Sequence, residues 1–167
     1  MRTLDIYCLT KHRDLETVNR FLDTYVDRSA SENREMEQLY LTPLPPISEK
    51  IGIRAHCGEP ALTLSNCIES GLEEPRRSFC LALESKVEAI HGATLAFTID
   101  DQLVLGLALD DTTDRVMAMP HAKRLLHRLA DEFDCHLGLI ASEQRSNADG
   151  ETCSQREITA LKYWWER

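Results

Sequence analysis

Two apolar runs separated by a short acidic gap constrain this chain most. They are Ala93–Ile99 and Leu103–Leu109, with Asp100, Asp101 and Gln102 between them. In a strand, alternate side chains take opposite faces. If the loop is Asp100–Gln102 and Ile99 faces Leu103, one face collects Leu95, Phe97, Ile99, Leu103, Leu105, Leu107 and Leu109. The other collects Thr94, Ala96, Thr98, Val104, Gly106 and Ala108. A loop of Asp100–Asp101 alone mixes those sets and leaves large apolar groups on both faces. Register follows the apolar pattern wherever one face is buried, so the longer loop is expected. Such loops usually place glycine in the left-handed position; here Gln102 must take it, or the loop is longer still. A leucine-rich face of this size needs a cover.

The flanking segments are expected to supply it. Phe79, Cys80, Leu83, Val87 and Ile90 recur at helical spacing and Gly92 follows as a stop, which predicts a helix from Ser78. The alternation of Phe79, Leu81 and Leu83 also fits a strand, but the longer pattern and the glycine favour the helix. After the hairpin, Ala122, Leu125, Leu126, Leu129, Ala130 and Phe133 form one apolar stripe, with Pro120 suited to the first helical turn. Cys135–Ala141 reads as a closing strand.

Elsewhere, Thr3–Leu9 reads as a strand. Asp14 can cap a helix running to about Val26, with Leu15, Val18, Phe21, Leu22 and Tyr25 inward. Asp27–Arg34 is polar and reads as a loop, and Glu37–Leu41 as a short strand. Pro43, Pro45 and Pro46 exclude regular structure around them, so residues 43–59 read as an irregular connector. Pro60–Ser70 fits a short helix stopped by Gly71. Residues 142–153 are expected to form a polar, mobile loop. Ser154, Gln155, Arg156 and Glu157 then make a capping box for a terminal helix with Ile158, Leu161 and Trp165 on one side. The expected fold is therefore α+β: an antiparallel or mixed sheet with helices packed mainly on one face, in the order β-α-β-α-α-β-β-α-β-α.

At 167 residues and 43% hydrophobic content, one domain spanning residues 1–167 with a sizeable core is expected. No run of apolar residues is long enough to cross a membrane as a helix. The start of the chain lacks the basic and unbroken apolar segments of a secretion signal, which points to the cytoplasm. The net charge is −9, from 28 acidic against 19 basic residues. That argues against nucleic-acid binding, which relies on neutralising phosphates, and against anionic membrane surfaces. It permits a basic protein partner. Six cysteines at 8, 57, 67, 80, 135 and 153 read as free thiols, with Cys8, Cys80 and Cys135 in apolar patterns.

Chemistry is thinly signalled. Asp110, Asp111, Thr112, Thr113 and Asp114 resemble the D-D-x-x-D pattern of isoprenoid synthases, whose helical acids hold magnesium ions that bind a diphosphate. The resemblance covers these five residues only. The motif here follows a strand, in a chain too short for that all-helical fold. A generic divalent-cation site at Asp110, Asp111 and Asp114 fits better than that family, beside the plain alternative of a solvated loop that initiates the next element. Asp100 and Asp101 lie at the far end of the hairpin, about 25 Å away at roughly 3.3 Å per strand residue, and cannot join it. His56 and Cys57, ahead of the predicted helix at Pro60, are candidates for a thiol nucleophile and its base, with His91, His121 or His136 as other bases. Cys8 with His12, Cys57 with Cys67, and Cys135 with His136 lack the C-x-x-C spacing of a zinc knuckle. P-loop, dinucleotide-binding, serine-hydrolase and zincin motifs are missing, and no cofactor is expected.

Two surfaces suggest contacts. His121, Lys123, Arg124, His127 and Arg128 make the helix after the hairpin basic on its outer side, against the charge of the whole chain. Pairing with the chain's own carboxylates is the simplest expectation for them. Trp164, beside Trp165, is a candidate interface residue, together with Arg124 and Arg128. Three functions follow. The first is a non-catalytic protein-binding module, resembling inhibitors or bacterial immunity proteins by analogy. The second is a small enzyme using Cys57 with a histidine, or a metal at Asp110–Asp114. The third is a homo-oligomeric structural protein using the terminal helix and Trp164.

Overall fold

The computed structural model describes residues 2–29, 35–36, 39–41, 53–55, 62–76, 79–98, 100–110, 115–144 and 161–167. It is an α+β fold. In chain order the described elements are β1 (Arg2–Thr10), α1 (Leu15–Tyr25), β2 (Glu35–Met36), β3 (Leu39–Leu41), β4 (Ile53–Ala55), β5 (Leu62–Thr63) and α2 (Leu64–Glu73). There follow β6 (Phe79–Glu84), β7 (Ile90–Phe97), β8 (Leu103–Asp110), α3 (Arg115–Glu132), β9 (Cys135–Gln144) and β10 (Leu161–Glu166). Eight strands form one antiparallel sheet in the order β10-β9-β1-β8-β7-β6-β3-β4, and β2 pairs with β5 separately. The element order differs from expectation mainly because two predicted helices are strands.

The first is β6. Its pairing with β7 sets Phe79 opposite Phe97, Leu81 opposite Leu95 and Leu83 opposite Ala93. All of these side chains are buried in one cluster, while Cys80 falls in a different cluster with Ala96 and Val104. A helix would have put Phe79, Cys80 and Leu83 on one side. The alternation decided, because each odd-numbered side chain gained a cross-strand partner as well as burial. Val87 and Ile90, which extended the helical spacing, belong to the turn and to the start of β7. The turn residue in the left-handed region is Ala89 (φ 70°), not Gly92, which lies within β7.

The hairpin keeps its expected faces in a different register. Phe97 pairs with Leu103 and Leu95 with Leu105, so the loop is residues 98–102. The offset from the expected pairing is even, so no side chain changes face. Asp101, not Gln102, takes the left-handed conformation (φ 61°). Thr98 closes the loop: its Oγ1 accepts from the Gln102 N–H at 2.9 Å, and its N–H donates to the Gln102 carbonyl at 3.1 Å. Ile99 lies outside the described residues.

Leu95, Phe97, Leu103, Leu105, Leu107 and Leu109 are buried together with Leu4, Ile6 and Cys8 of the central strand β1. Buried apolar residues of all three helices join this same cluster. From α1 come Val18, Phe21, Leu22 and Tyr25, from α2 Leu64, Cys67 and Ile68, and from α3 Ala122, Leu125, Leu126, Leu129 and Ala130, with Phe133 in the turn just after it. The α1 cap is as expected: the Asp14 carboxylate accepts from the Thr17 N–H at 2.8 Å. Leu15, expected inward, is 55% exposed, because it sits at the first helical position ahead of the buried stripe.

Three further boundaries move. The second helix begins at Leu64, capped by the Thr63 hydroxyl, and Gly71 lies inside it instead of stopping it. Gly71 is needed for a close approach: a Cβ there would sit 2.7 Å from the Phe97 ring. The third helix starts at Arg115, so Pro120 is interior, exposed, and leaves one carbonyl of the preceding turn without its usual donor. Strand β4 breaks the connector expected over 43–59, and β9 runs through Ser142–Gln144, where a loop was expected. The second wrongly expected helix is the terminal one: Leu161–Glu166 is strand β10, which pairs with β9. Residues 154–160 lie outside the described set.

Candidate functional site

His56, Cys57, Asp111 and Asp114 lie outside the described residues. Asp110 ends β8, and Asp100 and Asp101 sit at the opposite end of that hairpin, as the strand length requires. Among the described residues no group of three or more His, Cys, Asp or Glu side chains could hold a metal ion.

The described thiols are packed away. Cys8, Cys67, Cys80 and Cys135 are buried thiols. A hydrogen bond with Cys135, followed by burial, pushes the Cys8 thiol far above its ordinary value. The Cys135 thiol donates to the Leu129 carbonyl at 3.8 Å. A thiol must ionise to attack or to bind a metal, so this pair serves the core.

His12, close to Cys8 in sequence, pairs elsewhere. His12 Nε2 meets Asp134 Oδ2 at 3.0 Å at the exposed end of the sheet. Asp134 is held in the left-handed region (φ 49°). Its carboxyl lies below the usual range, through the His12 hydrogen bond first and the nearby charges of Arg167 and His136 after it. Arg167 Nη2 contacts Asp131 at 2.6 Å, and its N–H donates to the His136 carbonyl at 2.9 Å. These pairs tie the α3–β9 turn to the β1–α1 turn and to the end of β10. They are well exposed and contribute little stability individually.

Sequence reasoning missed Arg13. Its side chain is buried, with 3% exposure, and it reaches the last carbonyls of α2 and the β7–β8 loop. Nε and Nη2 donate to the Gly71 carbonyl at 3.0 and 2.6 Å, and Nη1 donates to the Thr98 carbonyl at 2.6 Å. Nη1 and Nη2 also reach the carbonyls of Pro75 and Glu74. Phe97 lies under the guanidinium at 5.2 Å. This arginine staples three segments that are far apart in sequence, and nothing in the local sequence signals it.

The outer side of α3 is different in kind. Arg124 and Arg128 are exposed, and among the described residues neither forms an ion pair with a carboxylate. Successive helical positions turn by about 100°. Arg124 and Arg128 therefore share the outward side, and Lys123 and His127 lie toward β10. Lys123 Nζ stands 4.4 Å over the Tyr163 ring, and the His127 ring is 6.3 Å from it, edge-on. Tyr163 is itself packed on the core. Toward α1, the Tyr25 hydroxyl donates to Glu132 Oε2 at 3.4 Å, and burial pushes its pKa up to about 12 with the Glu132 charge assisting. Trp164 sits opposite Leu139 in strand β10, not on a helix.

Built from these residues, the Arg124–Arg128 side of α3 stands out as two arginines one helical turn apart with no ion pair among the described residues. No protein family, curated protein or solved structure matches this chain.

Proposed function

We propose that this protein is a non-catalytic binding module for another protein, and that the outer side of α3 is its contact surface. The observation that carries the reading is the pair of exposed guanidinium groups, Arg124 and Arg128, with no carboxylate partner among the described residues of a chain whose net charge is −9. A positive patch on a negative molecule orients an approaching partner, because the two signs act on its charge distribution in opposite senses. The partner's contacting segment is acidic where it meets α3, and basic regions of the same partner face the rest of the molecule. Guanidinium groups suit this role because their planar forks hold carboxylates bidentately.

The test compares the purified protein with its Arg124→Glu/Arg128→Glu variant as immobilised baits in native lysate at low salt. The expected result is a protein retained by the wild type, released as salt rises, and lost on the variant while the variant's thermal melt is unchanged. Equal retention by both baits, or none by either, overturns the reading.

A further inference from the structure

We propose that the contact surface on α3 crosses the seam to α1, with Arg20 as its third guanidinium, and that it takes a protein segment carrying a run of carboxylates about 6 Å apart. This rests on the protein-binding reading and adds to it a residue and a spacing. Arg20 is exposed on α1. Its Nη2 donates to the Glu132 carbonyl at 2.6 Å, at the end of α3, and its guanidinium lies over the Phe133 ring at 5.2 Å. The Tyr25 hydroxyl donates to the Glu132 carboxylate, and the Arg128 charge acts on that phenol. Arg20 and Arg128 therefore stand around one tyrosine–glutamate contact, one from each helix.

Four helical residues rise about 6 Å. Arg124, Arg128 and the Glu132 carbonyl that Arg20 holds thus mark three places along α3, about 12 Å from first to last. Two acids at that end of the helix are already engaged: Glu132 accepts from the Tyr25 hydroxyl at 3.4 Å, and Asp131 accepts from Arg167 at 2.6 Å. Among the described residues no carboxylate forms an ion pair with Arg20, Arg124 or Arg128, whereas Arg28 is paired with Asp23 at 3.0 Å. Arg20 spends one donor on the carbonyl, and a guanidinium has five. Because the carbonyl and the ring already hold its plane, little side-chain freedom is left to lose when a carboxylate arrives. A lone anion would meet one step of this row. Carboxylates on one side of an extended segment recur every 6.6–6.8 Å or about that, and those one turn apart on a helix about every 6 Å, so a run of acids matches all three places. Charge complementarity thus selects an acidic protein segment as the occupant.

The experiment is an NMR titration of the full chain with hexaglutamate at low salt, following the arginine Nε–H signals, with hexaserine as the uncharged comparison. The expected result is that Arg20, Arg124 and Arg128 shift together with one midpoint, while the paired Arg28 and the buried Arg13 shift far less. Arg20→Gln is expected to weaken binding roughly two- to fivefold, the range of an exposed charge pair, with Arg124 and Arg128 still responding. Shifts at Arg124 and Arg128 without Arg20, or a midpoint that Arg20→Gln leaves unchanged, overturn the extension to α1 and leave the α3 reading standing. No shift at any of the three, or equal shifts at Arg28, overturns the proposal, and the lysate comparison then decides the α3 reading by itself. The wild-type titration is decisive even where the Arg20→Gln chain fails to fold.

Discussion

Replacing Arg13 by methionine keeps most of the side chain's length and removes every donor. The wild-type side chain has 3% exposure. Its donors serve the carbonyls of Gly71, Glu74, Pro75 and Thr98, and Asp101 Oδ1 stands 3.6 Å from Nε. The Glu74 and Pro75 contacts are exposed, so water can replace the lost donors there. The Gly71 and Thr98 contacts are part-buried, and each orphaned carbonyl costs about 1–3 kcal/mol. Loss of the guanidinium over Phe97 adds roughly 0.5–1 kcal/mol. Against this stands the relief of burying a charge: burial lowers the Arg13 pKa, with Asp101 and then Asp100 opposing that shift. The net expectation is about 3–4 kcal/mol of destabilisation, or roughly 10 °C in Tm for a chain of this size. Urea unfolding at constant slope measures it. Arg13→Lys restores the charge on one compact head that cannot serve both carbonyls as a fork does, and is expected to recover less than half. An Arg13→Met variant within about 0.5 kcal/mol of wild type, or a lysine variant equal to it, refutes the staple.

Two further outcomes follow from the packing. Gly71→Ala, ordinarily helpful inside a helix by about 1 kcal/mol, is expected to destabilise by roughly 1–3 kcal/mol, because the new Cβ would meet the buried Phe97 ring at 2.7 Å; urea midpoints decide the sign. The Tyr25 phenol is pushed from 10.0 to about 12 in the folded state. Its contribution to stability is thus complete below pH 10 and is lost as pH rises toward 12, where the unfolded chain ionises first. Unfolding midpoints measured across that range should fall, and Tyr25→Phe should flatten the fall.

Much of the interior is legible in the letters of the chain. The stripe on α3, the Asp14 cap on α1 and the faces of the β7–β8 hairpin are local patterns, and burial follows them as written. Expectation and structure part where two periods fit the same residues. Phe79–Leu83 satisfies a helix and a strand alike, and only the partners Phe97, Leu95 and Ala93 across β7 separate them. Gly71 and Gly92 read as stops because glycine tolerates positive φ. One instead makes room for an aromatic ring and the other lies within a strand. For the candidate surface, the basic side of α3 is visible in the spacing of Arg124 and Arg128. Their lack of an ion pair among the described residues is not, because pairing depends on which carboxylates the fold brings near.

By itself the chain determined its α+β class, its apolar faces and its net acidity, since these follow from side-chain period and charge. The tertiary structure alone decided that Phe79–Glu84 and Leu161–Glu166 are strands. It also decided that Arg13 joins α2 to the β7–β8 loop, and that Arg124 and Arg128 of α3 find no carboxylate among the described residues. The reason is physical. Side-chain alternation and capping act within a few residues, whereas strand partnership, the reach of a buried guanidinium and the balance of surface charge are set by groups that only folding brings together.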